Sequence, residues 1–395
     1  MSALRLFSFV GKDNPSALPK ILAEMANLTS KILDVDHSVT LDQLQLAIVA
    51  LHDDSKNLDS LVKTCLGMSI TVNTSELASG DYENWVAEAG RPKFVVTVLA
   101  SEITAQQLSQ VCVVLQGHNL SVENMQRLSG RISLQEPAAD AFESLEILAS
   151  GDVSDLATLR SDLLSLANEQ AIDIAVQAED IYRRTRKLVC FDMDSTLIKV
   201  EVIDELAKAA GVGEQVAAIT EAAMRGELDF NESFANRLGT LKGLDESVLA
   251  EIAANLPITE GAERLVSTLK KMGYKTAILS GGFNYFARYL QQKMGFDYVY
   301  ANELEIEDGK VTGRVVGEVV NGERKEFLLR QMAQQEGILP EQVIAVGDGA
   351  NDIPMLSAAG LGVAFRAKPI VREKAKQSIS TLGLDAILYL IGYRD

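Results

Sequence analysis

Three short apolar runs in the second half of the chain end in the same way, and this limits the fold more than any other feature. Leu188-Val189-Cys190-Phe191 leads into Asp192-Met193-Asp194-Ser195-Thr196. Thr276-Ala277-Ile278-Leu279 leads into Ser280-Gly281-Gly282, and Val343-Ile344-Ala345-Val346 into Gly347-Asp348-Gly349-Ala350-Asn351-Asp352. A run that is apolar on both faces suits a strand inside a parallel sheet covered by helices on each side. Such α/β sheets bind ligands outside the carboxyl ends of their strands. The three runs would therefore bring carboxylates, a hydroxyl and glycines to one pocket. Residues two apart in extended chain share a face, so Asp192 and Asp194 project together. Their repulsion calls for a cation, and oxygen ligands suit a hard ion such as Mg²⁺. Lys325, in Glu323-Arg324-Lys325-Glu326, falls between the second and third motifs. A cation, a lysine and unhindered backbone N–H donors are what a phosphoryl group needs.

Composition removes competing classes. The chain has 395 residues, enough for two to three domains, and a formal charge of −18. Residues 1–180 carry 11 basic against 25 acidic side chains, and residues 181–395 carry 26 against 30. So negative a chain is not a general binder of nucleic acid or of anionic membrane. It has no run of 18 apolar residues, and its N-terminus lacks the pattern of a signal peptide. Cys65, Cys112 and Cys190 are odd in number and far apart, which fits a reducing, cytoplasmic compartment and excludes a cysteine-rich zinc site. All three histidines, His37, His52 and His118, lie in the acidic half, so the second half cannot hold a Ser-His-Asp triad. The basic stretch Arg183-Arg184-Thr185-Arg186-Lys187 reads as a solvated junction paired with acidic neighbours.

The first half alternates short strands with amphipathic helices. Leu4–Val10 reads as a strand, and Pro15–Ala26 carries Leu18, Ile21, Leu22 and Met25 at helical spacing. Thr29–Val39 and Gln43–Leu51 read as strands, Leu58–Leu66 as a helix and Ser69–Val72 as a strand. This is the β-α-β-β-α-β order of a ferredoxin-like unit. A second copy follows, with strands at Lys93–Leu99, Leu120–Ser129, Phe142–Ala149 and Ala171–Val176 and helices at Thr104–Gly117 and Asp155–Glu169. Asp81–Arg91 reads as the linker. The division is 1–80, 92–178 and 183–395. The tandem resembles ACT modules, small-molecule sensors that are often paired and often bind amino acids. Lys12-Asp13-Asn14-Pro15-Ser16 and Ser101-Glu102-Ile103-Thr104 stand where that family usually has an acidic-x-x-Gly turn. Two readings stay open: modules that dimerise or brace the chain, or sensors of an amino acid such as serine. Pairing of such modules implies a homodimer.

Asp192-x-Asp194-Ser195-Thr196, Ser280-Gly281-Gly282, Lys325 and Gly347-Asp348-Gly349-x-Asn351-Asp352 resemble the four ordered motifs of the haloacid dehalogenase superfamily. The resemblance implies a Rossmann-like parallel sheet with an inserted helical cap, here about 202–257. It implies that Asp192 is a nucleophile forming an aspartyl phosphate, and that Asp194 is the acid and then the base. Mg²⁺ would be held by Asp192, Asp348 and the backbone carbonyl of Asp194. Ser280, Gly281, Gly282, Lys325 and Asn351 would hold the phosphoryl group, with Asp352 orienting Lys325. Glu201, Met224, Phe230 and Arg237 resemble the pocket of those members that hydrolyse phosphorylated small amino acids. Glu201 then takes the substrate's ammonium and Arg237 its carboxylate in a two-pronged hydrogen bond, while Met224 and Phe230 exclude water. Phosphoserine is the implied substrate. Phosphothreonine, phosphohomoserine, or a regulatory sensor with an inactive catalytic half are the alternatives. Asp308-Gly309 within Glu305–Gly313 signals a hairpin, either a flap beside the cap or an ordinary surface hairpin.

Overall fold

The computed structural model describes residues 2–135, 142–225 and 227–395, with the side chains of Ser2, Ser30 and Met224 outside that description. The chain divides into two compact units, Met1–Arg91 and Pro92–Asp395. In the first, β1 (Ser2–Lys12), α1 (Ala17–Leu28), β2 (Thr29–Thr40), β3 (Gln43–Asp53), α2 (Asp59–Leu66) and β4 (Ile70–Glu76) follow the expected order. The strands form an antiparallel sheet, β2-β3-β1-β4. Alternation sorts its faces: Leu44, Leu46, Ile48 and Ala50 of β3 join Phe7 and Phe9 in the core. α1 and α2 close that face with Ile21, Met25, Leu61 and Cys65, each pair one helical turn apart. Most of the stretch read as a linker is helical, in α3 (Ser79–Glu88), which buries no side chain. Trp85 and Val86 are adjacent and make no periodic apolar face, so no helical pattern was visible there.

The second unit opens with the same order: β5 (Lys93–Ala100), α4 (Ala105–Gly117), β6 (Ser121–Arg127), β7 (Glu143–Ser150), α5 (Leu156–Gln170) and β8 (Asp173–Ala178). Its sheet runs β6-β7-β5-β8. β5 is buried along nearly its whole length, on both faces. One face packs on α4 and α5 through Val111, Leu115, Leu159 and Leu163. Leu99 and Ala175 turn the other way and join the core of the following layer. The short α6 (Ile181–Arg184) opens the basic stretch, and here the expectation of a solvated junction holds for Arg184 and Lys187 but needs correction for Arg183 and Arg186. Arg183 and Arg186 are 7% and 6% exposed. Arg183 is paired to Glu146 at 2.6 Å and Glu179 at 3.0 Å. The strand–helix packing of this unit encloses Arg183 and Arg186 while Arg184 and Lys187 stay exposed, a division that local sequence does not reveal.

The remaining strands are β9 (Leu188–Phe191), β10 (Lys275–Phe283), β11 (Tyr298–Glu307), β12 (Lys310–Val316), β13 (Val343–Gly347), β14 (Leu361–Phe365) and β15 (Gln377–Ile379). They form one sheet, β12-β11-β10-β9-β13-β14-β15, parallel except for β12. Apolar clusters cover both faces. One includes Phe191, Ile278 and Ile344, and the other Cys190, Ala277, Leu279 and Ala345. β9 lies between β10 and β13, so the chain leaves the centre in both directions and opens a crevice at the strands' carboxyl ends. Four helices are inserted after β9: α7 (Val202–Ala209), α8 (Gly213–Met224), α9 (Phe230–Gly239) and α10 (Ser247–Ala254). Entry and exit are joined by an Ile198–Ile258 bridge and by Lys199 N–H donating to Pro257 O at 2.9 Å. The β11–β12 hairpin turns at Asp308 and Gly309, both at positive φ. It is tied to the inserted helices: Gly243 N–H donates to Val311 O at 2.8 Å, and Glu246 N–H to Gly309 O at 2.9 Å.

Candidate active site

All three apolar strands end at one cavity of about 160 Å³. Asp192, Asp194, Ser280, Gly281, Gly282, Asp348 and Asn351 line its floor, and Glu201, Phe230 and Arg237 line it from the inserted segment. Met224 closes α8, and its side chain lies outside the described residues. Each wall follows from local chemistry. After Asp192 the chain turns through Ser195, which sits at a φ of 57°. That turn lets Ser195 Oγ donate to Glu201 Oε1 at 2.9 Å and leaves Asp194 9% exposed. Asp229 and Glu232 form a reciprocal cap at the start of α9. α9 then presents Phe230, Phe234 and Arg237 along one side, with the two rings parallel at 6.2 Å. Arg237 Nε is buried without a hydrogen-bond partner.

Lys325 approaches from beneath. Asn321 caps α11 (Gly322–Gln335) by accepting from Arg324 N–H at 3.0 Å, so Lys325 falls in the first turn. It is fully buried, with Nζ 2.7 Å from Asp192 Oδ1 and 2.6 Å from Asp352 Oδ1. Asp352 also accepts Gly349 N–H at 2.9 Å, which ties the third motif to the lysine. Ligand oxygens of Asp192, Asp348 and Asp352 lie within 4.8 Å of one another. An oxygen-only set this tight suits a hard divalent cation. Of these three, Asp192 and Asp348 line the cavity, whereas Asp352 does not and is held by Lys325 and Gly349.

Charge in this pocket is strained. Burial, then repulsion from Asp352, raises Asp192 well above the carboxylate range. Burial, then Glu201 and Asp192, does the same to Asp194, whose Oδ1 lacks a partner. Asp348 is pushed up to about 7 by burial and Asp352. Burial alone would lower Lys325, but Asp192 and Asp352 outweigh it and hold the ammonium above its ordinary value. Without metal, the folded protein therefore holds protons that the unfolded chain releases from about pH 4 upward. Stability in EDTA should fall as pH rises from about 5 to 7, and Asp348→Asn should flatten that fall. Urea midpoints across this range for both proteins check it; equal slopes would refute it.

Three positioning contacts were not read from the sequence. Thr196 is fully buried and donates to Asp348 Oδ1 at 3.0 Å. Ser195 holds Glu201, as above. Asn302 of β11 donates to Gly281 O at 2.7 Å and accepts Val320 N–H at 2.8 Å, clamping the glycine turn. At Gly282 a Cβ would lie 2.7 Å from Asp194 Oδ2 and 2.9 Å from Met193 Cε. Gly282→Ala should therefore displace Asp194 and lower kcat roughly 10- to 100-fold, at a stability cost of about 1–3 kcal/mol. Steady-state kinetics beside thermal melts would test this; an unchanged kcat would refute it.

The four motifs, gathered at a parallel-sheet switch point under inserted helices, define a haloacid dehalogenase-like hydrolase, and that family's model matches residues 186–360. A phosphoserine phosphatase of Streptomyces coelicolor is 37% identical over 98% of this chain and 92% of its own. The solved structure of a probable phosphoserine phosphatase from Vibrio cholerae, in unliganded form, has a TM-score of 0.59 at 35% identity and covers 75% of this chain and 86% of that one. A phospho-aspartyl intermediate analogue of a phosphoserine phosphatase has a TM-score of 0.50 at 45% identity, over 52% of this chain and 98% of that one. The chain belongs to the phosphoserine phosphatase family of these hydrolases.

Proposed function

We propose that the chain hydrolyses O-phospho-L-serine to L-serine and phosphate, the last step of serine synthesis, through an aspartyl phosphate on Asp192. The observation that carries this is one cavity lined at once by Asp192, Asp194, Ser280, Glu201 and Arg237. A free amino acid ester presents a phosphate, an ammonium and a carboxylate, and each finds its complement here. Arg237 takes the carboxylate, Glu201 the ammonium, and Ser280 with the Gly281 and Gly282 amides the phosphoryl oxygens. Phe230 shields the site from water. Asn351 borders the phosphoryl pocket, and Asp352 orients Lys325.

Asp192 attacks phosphorus in line, and Asp194, kept protonated by its surroundings, protonates the departing serine oxygen. Asp194 then takes a proton from the water that releases phosphate. Asp192, Asp348 and the backbone carbonyl of Asp194 fit Mg²⁺, which when bound supplies positive charge against the phosphoryl oxygens. Lys325 offsets a further negative charge at Asp192. The relative solved as a phospho-aspartyl intermediate analogue supports this route. We read 1–80 and 92–178 as ACT-like domains that pair in a homodimer, with serine as a candidate regulator, and 183–395 as the phosphatase domain with its cap at about 202–257. Three free cysteines fit work in the cytoplasm. Among the described residues no helix is long and apolar enough to cross a membrane.

Phosphate release with and without Mg²⁺, over phosphoserine, phosphothreonine, phosphohomoserine and an aryl phosphate, tests the proposal. Phosphoserine should lead by at least about tenfold in kcat/KM. A different leading ester would replace the substrate, and no release from any ester would favour a sensor with an inactive half. Arg237→Ala should cost roughly 100-fold on phosphoserine and little on the aryl phosphate, which has no carboxylate. Equal losses on both would remove Arg237 from substrate recognition.

A further inference from the structure

A second concentration of polar groups, sharing no residue with the catalytic cavity, lies along the seam between the β6-β7-β5-β8 sheet and the β15 edge of the seven-stranded sheet. The seam is rigid. Gln377 of β15 receives Val176 N–H at 2.9 Å and donates to Val176 O at 2.6 Å. Asp173 accepts Ser380 and Thr381 N–H groups at 2.7 and 3.0 Å. Two cavities of about 270 and 220 Å³ open beside these contacts and share Arg160, Lys376 and Gln377. Arg160, Arg186, Arg372, Lys374 and Lys376 line them, against only Asp180, Glu341 and Glu373. In a chain of net charge −18, an inward-facing excess of cations needs an explanation.

Arg186 makes the case specific. It is 6% exposed, and its Nε and Nη1 are buried without a hydrogen-bond partner. Arg160 Nε and Arg372 Nε are in the same condition. Of the acids nearest Arg186, two are engaged elsewhere, while Glu341 and Glu373 border the cavities farther along. Glu179 is held by Arg183 and Arg184, and Asp180 Oδ1 accepts Arg183 N–H. Burial, with Arg183 nearby, lowers Arg186 to about 10. Burial and Arg160 lower Lys376, whose Nζ donates to Ala359 O at 2.6 Å. Buried guanidinium groups without acceptors are destabilising, and arginine's fork fits two oxygens of one anion.

We propose that this seam is a binding site for a small oxyanion, a phosphate or a carboxylate, which Arg186 holds with Arg160 and Lys376. Arg160 comes from α5, and Arg186 and Lys376 flank strands of the neighbouring sheet, so a bound anion fastens the two layers together. The site does not depend on the assignment of the reaction.

Thermal melts of the full chain test this in chloride, phosphate and acetate at matched ionic strength. At an anion concentration tenfold above Kd, the wild type should melt about 3 °C higher than in chloride. Arg186→Met should lose that increment and, having shed an unpaired buried charge, melt no lower than wild type in chloride. A rise with phosphate alone identifies a phosphoryl group, and a rise with acetate as well identifies a site that also takes carboxylates. Phosphate bound at the catalytic cavity affects both proteins alike and cancels in the comparison. If Arg186→Met does not fold, Arg160→Gln gives the same reading. An increment that survives the substitution, or a wild type that gains nothing from either anion, overturns the proposal.

Discussion

Replacing Asp192 by asparagine should leave a folded protein that releases phosphate at least about 10⁴-fold more slowly. The side chain keeps its shape, and its amide oxygen can still accept from Lys325 Nζ, now 2.7 Å from Asp192 Oδ1. What disappears is the nucleophile. Stability should not suffer, because ionised Asp192 is disfavoured here by burial and by Asp352. In EDTA the variant should melt at or above the wild-type temperature. The pairing of outcomes matters: a merely structural aspartate would lose stability, whereas a nucleophile loses only turnover. Phosphate release by protein confirmed by mass spectrometry to carry asparagine is the measurement. Turnover within about tenfold of wild type would remove Asp192 from the chemistry.

What could be read beforehand follows from where the information resides. β9, β10 and β13 are legible because a strand buried on both faces must be continuously apolar, and its polar exit then stands out. Asp192, Ser280, Lys325 and Asp348 were found by their order along the chain. The contacts that align them are tertiary. Thr196 reaches Asp348 across 152 positions, and Asn302 reaches Gly281 from the next strand. No local pattern marks such pairs. The same holds for Arg186, whose neighbours in sequence are basic and read as solvated. Its burial is set by packing between the layers around β8 and β15, which the chain assembles from residues some 200 apart. The Asp308-Gly309 turn was legible as a hairpin, but not its backbone bonds to the inserted helices.

Lys325→Met should be the most damaging substitution in the molecule, because it acts on fold and chemistry together. Methionine fills similar volume but leaves two buried carboxylates, Asp192 and Asp352, facing each other without their shared cation. Breaking a buried pair in this way costs about 3–5 kcal/mol, a fall of roughly 10 °C in melting temperature. The cost should shrink as pH falls, since protonating either carboxylate removes the repulsion. Turnover should drop at least about 100-fold even where the protein remains folded. Adding Asp352→Asn separates the two effects. The double variant removes the carboxylate that faces Asp192, so most of the stability should return. Activity should not, because the cation beside the attacking aspartate is still missing. Melts from pH 5 to 8 and phosphate release for both variants decide the matter. Full recovery of turnover in the double variant would mean that Lys325 only neutralises Asp352.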